Sequence, residues 1–250
     1  MEFATLRDKA LSYREWLLAR KQEIDAGFDW YPFDTLANVL HLDGLLSEDN
    51  RNVFGELAGR RIADIGAADG DLGFFLESEL GCHIDVVDTA APNYNRLRGA
   101  RLLAESLGSS AEIHDVDLDN QFALPAEHYG AVLFLGLLYH LRNPFYVLET
   151  LARRSDLCFV STRIAQLSPD HGTRLAEQPV AYLLHPTEAN NDPTNYWIFS
   201  EAGLRRLFER TGWEVLDFTT VGCRTDSDPA AQDRDERAFA LLRSRWAQDR

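Results

Sequence analysis

Apolar positions along this chain keep first one period and then two. Leu6, Ala10, Tyr13, Leu17 and Ile24 recur at helical spacing, with Arg, Asp, Glu and Lys between them. That pattern predicts an amphipathic N-terminal helix ending near Gly27. A turn-rich aromatic stretch follows, with Phe28, Trp30, Tyr31, Pro32 and Phe33. From residue 61 onward, short apolar runs alternate with helical ones. Strands are predicted at Arg61–Ile65, His83–Asp88, Ala111–Val116, Ala131–Gly136 and Leu157–Thr162, and helices at Leu72–Leu80, Tyr94–Leu107 and Pro144–Arg154. The fourth strand is apolar without alternation, which suits burial on both faces. Pro144 stands early in its helix, where a missing N–H costs nothing.

This alternation predicts an α/β fold with a parallel sheet, helices on both faces and right-handed crossovers. After Thr162 the rhythm breaks. Residues 163–199 contain Pro169, Pro179, Pro186 and Pro193, and a connection this long is expected to be a cap or lid. Ser200 is a plausible N-cap for a helix running to Glu209. Trp213–Val221 and Arg237–Leu242 read as two last, paired strands, separated by the acidic stretch Asp226–Glu236. The expected organisation is an N-terminal helical segment, residues 1–55, packed on a core domain of residues 56–250 with the cap inserted at about 163–199.

Composition narrows the functions open to such a fold. The 250 residues hold 25 Lys plus Arg against 40 Asp plus Glu, a formal net charge of −15. That balance argues against non-specific nucleic-acid binding and against an anionic membrane surface, both of which need clustered cations. Cys82, Cys158 and Cys223 lie far apart and have neither zinc-like nor redox spacing, so no disulfide framework or metal site is expected. The first residues are charged throughout, without the apolar stretch of a signal peptide, and no run is long enough to span a bilayer. A cytoplasmic protein is the expectation, as a monomer or homodimer.

The stretch richest in chemistry is Asp64–Gly73, a glycine-rich turn between the first strand and the next helix. Such a turn lets a ligand approach the backbone closely. A nicotinamide site expects Gly-x-Gly-x-x-Gly. Here the spacing is Gly66-x-x-x-Gly70-x-x-Gly73, and Asp64 stands just before it. A carboxylate there repels a pyrophosphate but suits a phosphate-free ligand bearing an amino group and a sulfonium, the character of S-adenosylmethionine. Asp88 ends the second strand, where a carboxylate can accept from both ribose hydroxyls. Asp117, or Asp115, follows the third strand and is placed to accept from an adenine amino group. Ala68 stands where the loop has a middle glycine, a replacement a turn accommodates if its φ is negative.

With these residues the chain resembles the class I S-adenosylmethionine-dependent methyltransferases over roughly residues 28–245. It looks most similar to relatives of the tRNA wobble-uridine carboxymethyltransferase branch. The carrying stretches are Asp29–Pro32, Asp64–Gly73, Gly136–Pro144 with its Leu138-Tyr139-His140, and Asn195–Ser200. The resemblance implies a Rossmann-like, seven-stranded, mostly parallel sheet with an antiparallel last strand. It implies cofactor contact at Asp64, Gly66, Ala67, Gly70, Asp88, Thr89, Val116, Asp117, Leu135 and Tyr139. In the carboxymethyl branch the residues matching Tyr139 and Arg237 meet an extra carboxylate on the cofactor. That branch's upstream Lys-Gly-Pro-Phe element has no counterpart here, so ordinary methyl transfer is expected.

On the acceptor side, His140 follows the fourth strand and is a candidate base for a hydroxyl acceptor; capping its own turn is the competing role. Tyr139 is its candidate catalytic neighbour. Trp30, Tyr196 and Trp197 are candidates to stack on a planar substrate, or else to pack the cap. His185 lies in the cap, and Arg237 completes the substrate set. No Asn/Asp-Pro-Pro-Tyr element follows the fourth strand, and no acids end the fourth or fifth strands to hold magnesium. The expected function is methylation of a small molecule, at oxygen. Competing readings are a tRNA-modifying transferase and a non-catalytic binding module.

Overall fold

The computed structural model describes residues 3–231 and 233–249. These fall into two compact units, residues 1–133 and 134–250, and each is described in turn.

The first unit opens with α1 (Phe3–Glu23), which buries Leu6, Ala10 and Leu17 against α2 (Asn38–Leu45) and α4 (Asp71–Leu80). Three of the five apolar positions read from the sequence thus form the buried stripe, while Tyr13 is half-buried and Ile24 lies just past the helix end. Between α2 and the sheet lie a 3₁₀ turn, Glu48–Asn50, and one turn of α-helix, α3 (Val53–Glu56). The short α2 and α3 lack the length to show a clear period, and pattern alone does not reveal them. Strands β1 (Arg61–Ile65), β2 (His83–Asp88), β3 (Glu112–Asp115) and β4 (Tyr129–Leu135) run parallel in the order β3-β2-β1-β4. Their crossovers carry α4 and α5 (Arg98–Leu107). Ile62, Val86, Val87, Val132 and Leu133 are fully or almost fully buried, which is what a parallel sheet covered on both faces requires.

Helix α5 starts four residues later than its apolar pattern suggests. Arg96 and Leu97 take left-handed backbone conformations, with φ of 60° and 62°, and they stop the helix from extending back to Tyr94. Asn93 fixes this bend, its Oδ1 accepting from the N–H groups of Asn95 and Leu97.

In the second unit, α6 (Pro144–Arg154) begins at Pro144 as expected, capped by the Asn143 side chain accepting from the N–H of Tyr146. β5 (Ser155–Ile164) pairs antiparallel with β9 (Glu236–Ser244), and β9 pairs antiparallel with β8 (Trp213–Gly222). The antiparallel last strand is thus present. The described residues hold nine strands, the seven expected and two short ones from the insertion. The cap adds β6 (Ala181–Leu183) and β7 (Trp197–Phe199), with β7 joined to the end of β5 at Ile164. The cap is an ordered layer with a small core of its own, where Ala165, Leu184, Ala189 and Ile198 pack with Leu175 and Tyr182. The large buried side chains Phe159, Phe208, Trp213 and Phe239 fill the rest of this unit, and the Trp213 indole N–H donates to Leu148 O at 3.0 Å. Among the described residues, no helix is long and apolar enough to cross a membrane.

Helix α7 (Glu201–Arg210) takes its N-cap from Ser200, whose Oγ accepts from Gly203 N at 2.9 Å and from Val180 N at 3.2 Å, and lies 2.5 Å from Gln178 O. One buried hydroxyl thus joins the helix start to the cap. Ser200→Ala is expected to lower stability by about 1–2 kcal/mol. In urea denaturation the midpoint should fall with the slope unchanged.

Candidate functional site

In the first unit the candidate residues gather at the carboxyl ends of the parallel strands. Asp64 pairs in register with Val86 and Leu133, and Asp88 with Asp115, so the acids stand along one edge of the sheet. Crevices at this edge are where open α/β sheets bind ligands. The turn after β1 doubles back through left-handed conformations at Gly66, Ala68 and Gly70, with φ of 70°, 56° and 84°. Ala68 thus does not meet the condition of a negative φ under which a turn accommodates the replacement without strain. Its conformation costs a non-glycine residue about 1 kcal/mol. The surroundings enforce it, because Ala68 N donates to Asp88 Oδ2 at 3.2 Å and Ala68 O accepts from Asn93.

Asp64 is buried, and its Oδ2 accepts from Gly73 N at 3.0 Å. Gly70 is the N-cap of α4 and has no side chain to cap with, so Asp64 supplies the missing acceptor from the preceding strand. Burial pushes its carboxyl up to about 7, opposed by the Gly73 N–H and reinforced by the charges of Asp88 and Asp71. Asp64 therefore positions the turn. Asp88 is half-buried and also raised by burial; its oxygens accept from Thr89 N at 2.7 Å, Asn93 Nδ2 at 2.9 Å and Ala68 N. These bonds fix the carboxylate rigidly and leave lone-pair capacity for a ligand donor. Thr89 Oγ1 donates to Val116 O, and Val116 N donates to Asp88 O, which locks the ends of β2 and β3 together. Asp117 is exposed and accepts from Asp119 N and Asn120 Nδ2 in its own turn. Asp115, also exposed, accepts from Ala90 N at 2.9 Å, so the hydrogen bonds do not separate the two acids considered for adenine. Gly66 N and Gly70 N are bonded to Val87 O and Ala67 O.

A phosphate-free adenosyl ligand fits this donor set. The turn backbone is bare of large side chains, the acids are ranked along the strand tips, and, among the described residues, the cation bonded beside the turn is already neutralised. That cation is Lys21, buried against Asp69 and Asp71, and sequence reading missed all three residues. Asp69 is 2% exposed, and its Oδ2 accepts from Tyr31 N at 2.8 Å and from Lys21 Nζ at 3.3 Å. Its Oδ1 accepts from Asn95 Nδ2 at 2.6 Å. Gly99 makes room for this approach, since a Cβ there would fall 2.1 Å from Asp69 Oδ1. The available signal was an N-terminal lysine in a chain with only two lysines. Trp30 belongs to this scaffold as well: its indole N–H donates to Lys21 O at 3.1 Å, and Lys21 Nζ lies 5.3 Å from its ring centroid.

In the second unit β4 leads through Leu135 and Gly136 into a single 3₁₀ turn, Leu138–His140. The Tyr139 and His140 rings lie 4.2 Å apart, and the Arg237 guanidinium sits 5.7 Å from the Tyr139 centroid while pairing with Asp235 at 3.3 Å. His140 Nδ1 lies 3.1 Å from Thr194 O and 3.0 Å from Thr194 Oγ1, and that hydroxyl lies 2.6 Å from Asp192 Oδ1. Burial lowers the His140 pKa, with the Arg237 charge adding to it and the Thr194 bond and Asp192 opposing. Tyr196 N donates to Tyr139 O at 2.8 Å, and its hydroxyl accepts from Arg142 Nε at 3.2 Å. Tyr139, His140, Tyr196 and Arg237 are thus one cluster. Trp197 is half-buried in β7, paired with Leu183. His185 is exposed and bonds within its own turn to Thr187 and Glu188.

Among the described residues, Asp85, Glu112 and His114 have metal-ligand spacing, their donor atoms within 4.8 Å of one another. Asp85 is already satisfied by the Arg61 guanidinium at 2.8 and 2.7 Å and by the Tyr129 hydroxyl at 2.7 Å, so the group is an ion-pair network.

No curated protein sequence matches the chain. Among solved structures, the N-terminal domain of EvdMO1 with SAH bound has a TM-score of 0.60 at 21% identity, covering 93% of this chain and 97% of that one. Coclaurine N-methyltransferase bound to N-methylheliamine and SAH has a TM-score of 0.59 at 13% identity, covering 86% and 75%. The [4+2]-cyclase SpnF has a TM-score of 0.56 at 14% identity, covering 87% of each chain. These likenesses establish the Rossmann-like fold. A family model described as a methyltransferase domain matches residues 43–217, most of the chain. The chain therefore belongs to the methyltransferase domain family, on the fold of class I S-adenosylmethionine-dependent methyltransferases.

Proposed function

We propose that this methyltransferase acts on a small-molecule acceptor and transfers the methyl group to oxygen, with His140 as general base and S-adenosylmethionine held at the turn of Asp64–Gly73. When bound, the cofactor supplies a methyl group activated by a sulfonium. The chain's own residues hold it: Asp88 is offered to the ribose hydroxyls, Asp117 to the adenine amino group, and the left-handed turn keeps side chains out of the ligand's way.

The observation that carries the oxygen assignment is the tautomer of His140. Thr194 O can only accept, so the nitrogen 3.1 Å from it, Nδ1, carries the proton. The lone pair then resides on Nε2. Burial keeps the ring neutral to lower pH than an ordinary histidine, so the base form persists at neutral pH. A hydroxyl acceptor must lose a proton as it is methylated, and Nε2 takes it. The Asp192–Thr194 pair sets the ring's orientation. The net charge of −15 counts against a tRNA acceptor. Small-molecule acceptors are consistent with the N-methylheliamine bound by coclaurine N-methyltransferase. Because SpnF, a cyclase, shares the fold, binding and turnover need separate tests.

Titration calorimetry with S-adenosylhomocysteine should show binding, and its absence in the wild type would overturn the cofactor reading. Asp88→Ala should weaken that binding by about 1–3 kcal/mol, the loss of charge-assisted bonds to ribose. Once an acceptor turns over, kcat/KM should rise with pH. Because the His140 pKa is lowered, the midpoint of this rise should lie below the ordinary histidine value of about 6.5. His140→Gln should remove that limb and cut the rate by about 10²–10⁴-fold. A limb unmoved by the substitution would assign the proton to another group.

A further inference from the structure

Lys21 is the cation of the cofactor turn, although it comes from the far N-terminal helix. Its side chain is 9% exposed, and its Nζ lies 2.8 Å from the carboxylate of Asp71 and 3.3 Å from Asp69 Oδ2. These two acids flank Gly70, the N-cap of α4. Asp69 joins three separate segments: α1 through Lys21, the Phe28–Phe33 strap through Tyr31 N, and the bend before α5 through Asn95 Nδ2. That bend continues to Asn93, whose Oδ1 accepts from Asn95 N and whose Nδ2 donates to Asp88 Oδ2. An unbroken chain of hydrogen bonds therefore runs from Lys21 through Asp69, Asn95 and Asn93 to the acid offered to ribose.

Removing the ammonium leaves two carboxylates enclosed without a counter-charge. Enclosed, unpaired charge is strongly unfavourable, so the turn must open to water or take up protons. Either response loosens the left-handed path at Gly66, Ala68 and Gly70, which persists only while its surroundings over-determine it. The amino-acid end of an adenosyl sulfonium also carries a carboxylate, which two uncompensated acids would repel.

We propose that Lys21 is a positioning residue for cofactor binding, and that α1 with the Phe28–Phe33 strap is a latch whose docking onto Asp69 and Asp71 is coupled to occupancy of the glycine turn. The proposal rests on the cofactor reading above. Coupling of this kind is reciprocal. If the docked latch favours the ligand, the ligand holds the latch down.

The experiment pairs calorimetry with amide hydrogen exchange, using the full chain and S-adenosylhomocysteine. Lys21→Met keeps the length of the side chain and removes its charge. It should weaken binding about tenfold, within the usual range for coupled sites, with Lys21→Arg recovering part of the loss. In the wild type, saturating ligand should slow exchange across residues 13–31, and in Lys21→Met at saturation that slowing should vanish. A folded Lys21→Met variant with wild-type affinity would overturn the latch and leave the cofactor reading intact. So would wild-type exchange across residues 13–31 that ignores the ligand, a result that stands even if the variant fails to fold. No binding by the wild type would remove the cofactor reading and the latch with it.

Discussion

Four carboxylates crowd one stretch of strand, turn and helix, and the first half of the molecule is organised to make that crowding tolerable. Asp64, Asp69 and Asp71 lie within eight residues of one another, and Asp88 reaches the same turn from the next strand. Each is answered differently. Asp64 is set against the positive end of α4 through Gly73 N and still has its carboxyl pushed up to about 7. Asp69 and Asp71 share one ammonium. Asp88 is surrounded by three N–H donors. Charge compensation and backbone geometry are the same problem here, because the donors that calm Asp88 also force Ala68 into a conformation it would not choose.

A similar economy holds in the second unit. The insertion is wired into the turn after β4. It supplies Thr194, whose carbonyl fixes the proton of His140 on Nδ1, and Asn195–Phe199, which returns the chain to the sheet through β7. Tyr196 N holds the Tyr139 carbonyl, so the turn after β4 is braced by the insertion on two successive residues. The basicity of His140 therefore depends on a segment with no regular periodicity of its own. Burial lowers the pKa of this ring, while the Thr194 bond pulls the other way.

Much of this was legible along the chain. β1, β2 and α6 begin and end where the apolar pattern and the flanking glycine and proline place them. Local sterics and buried apolar runs decide such boundaries, and both are properties of adjacent residues. Ser200 as a helix cap was readable for the same reason, since a cap is made within four residues. The acids at the strand tips were readable because a parallel βαβ frame fixes where strand ends must lie.

What folding alone decided involves partners distant in sequence. Lys21 meets Asp69 across 48 residues and His140 meets Thr194 across 54, and no spacing rule encodes either distance. The left-handed Ala68 follows from Asp88 and Asn93, on another strand and bend. The Trp30 indole N–H donates to Lys21 O, and its ring lies 5.3 Å from the Lys21 ammonium, a partnership between residues nine apart that no helical or strand period encodes. The two strands beyond seven come from the insertion, where β7 pairs with the end of β5 and β6 pairs with β7. Periodicity and turn chemistry act over a few residues and so settle the elements and the frame. Buried charges must find counter-charges wherever the folded chain brings them, so the wiring of the site belongs to the tertiary structure.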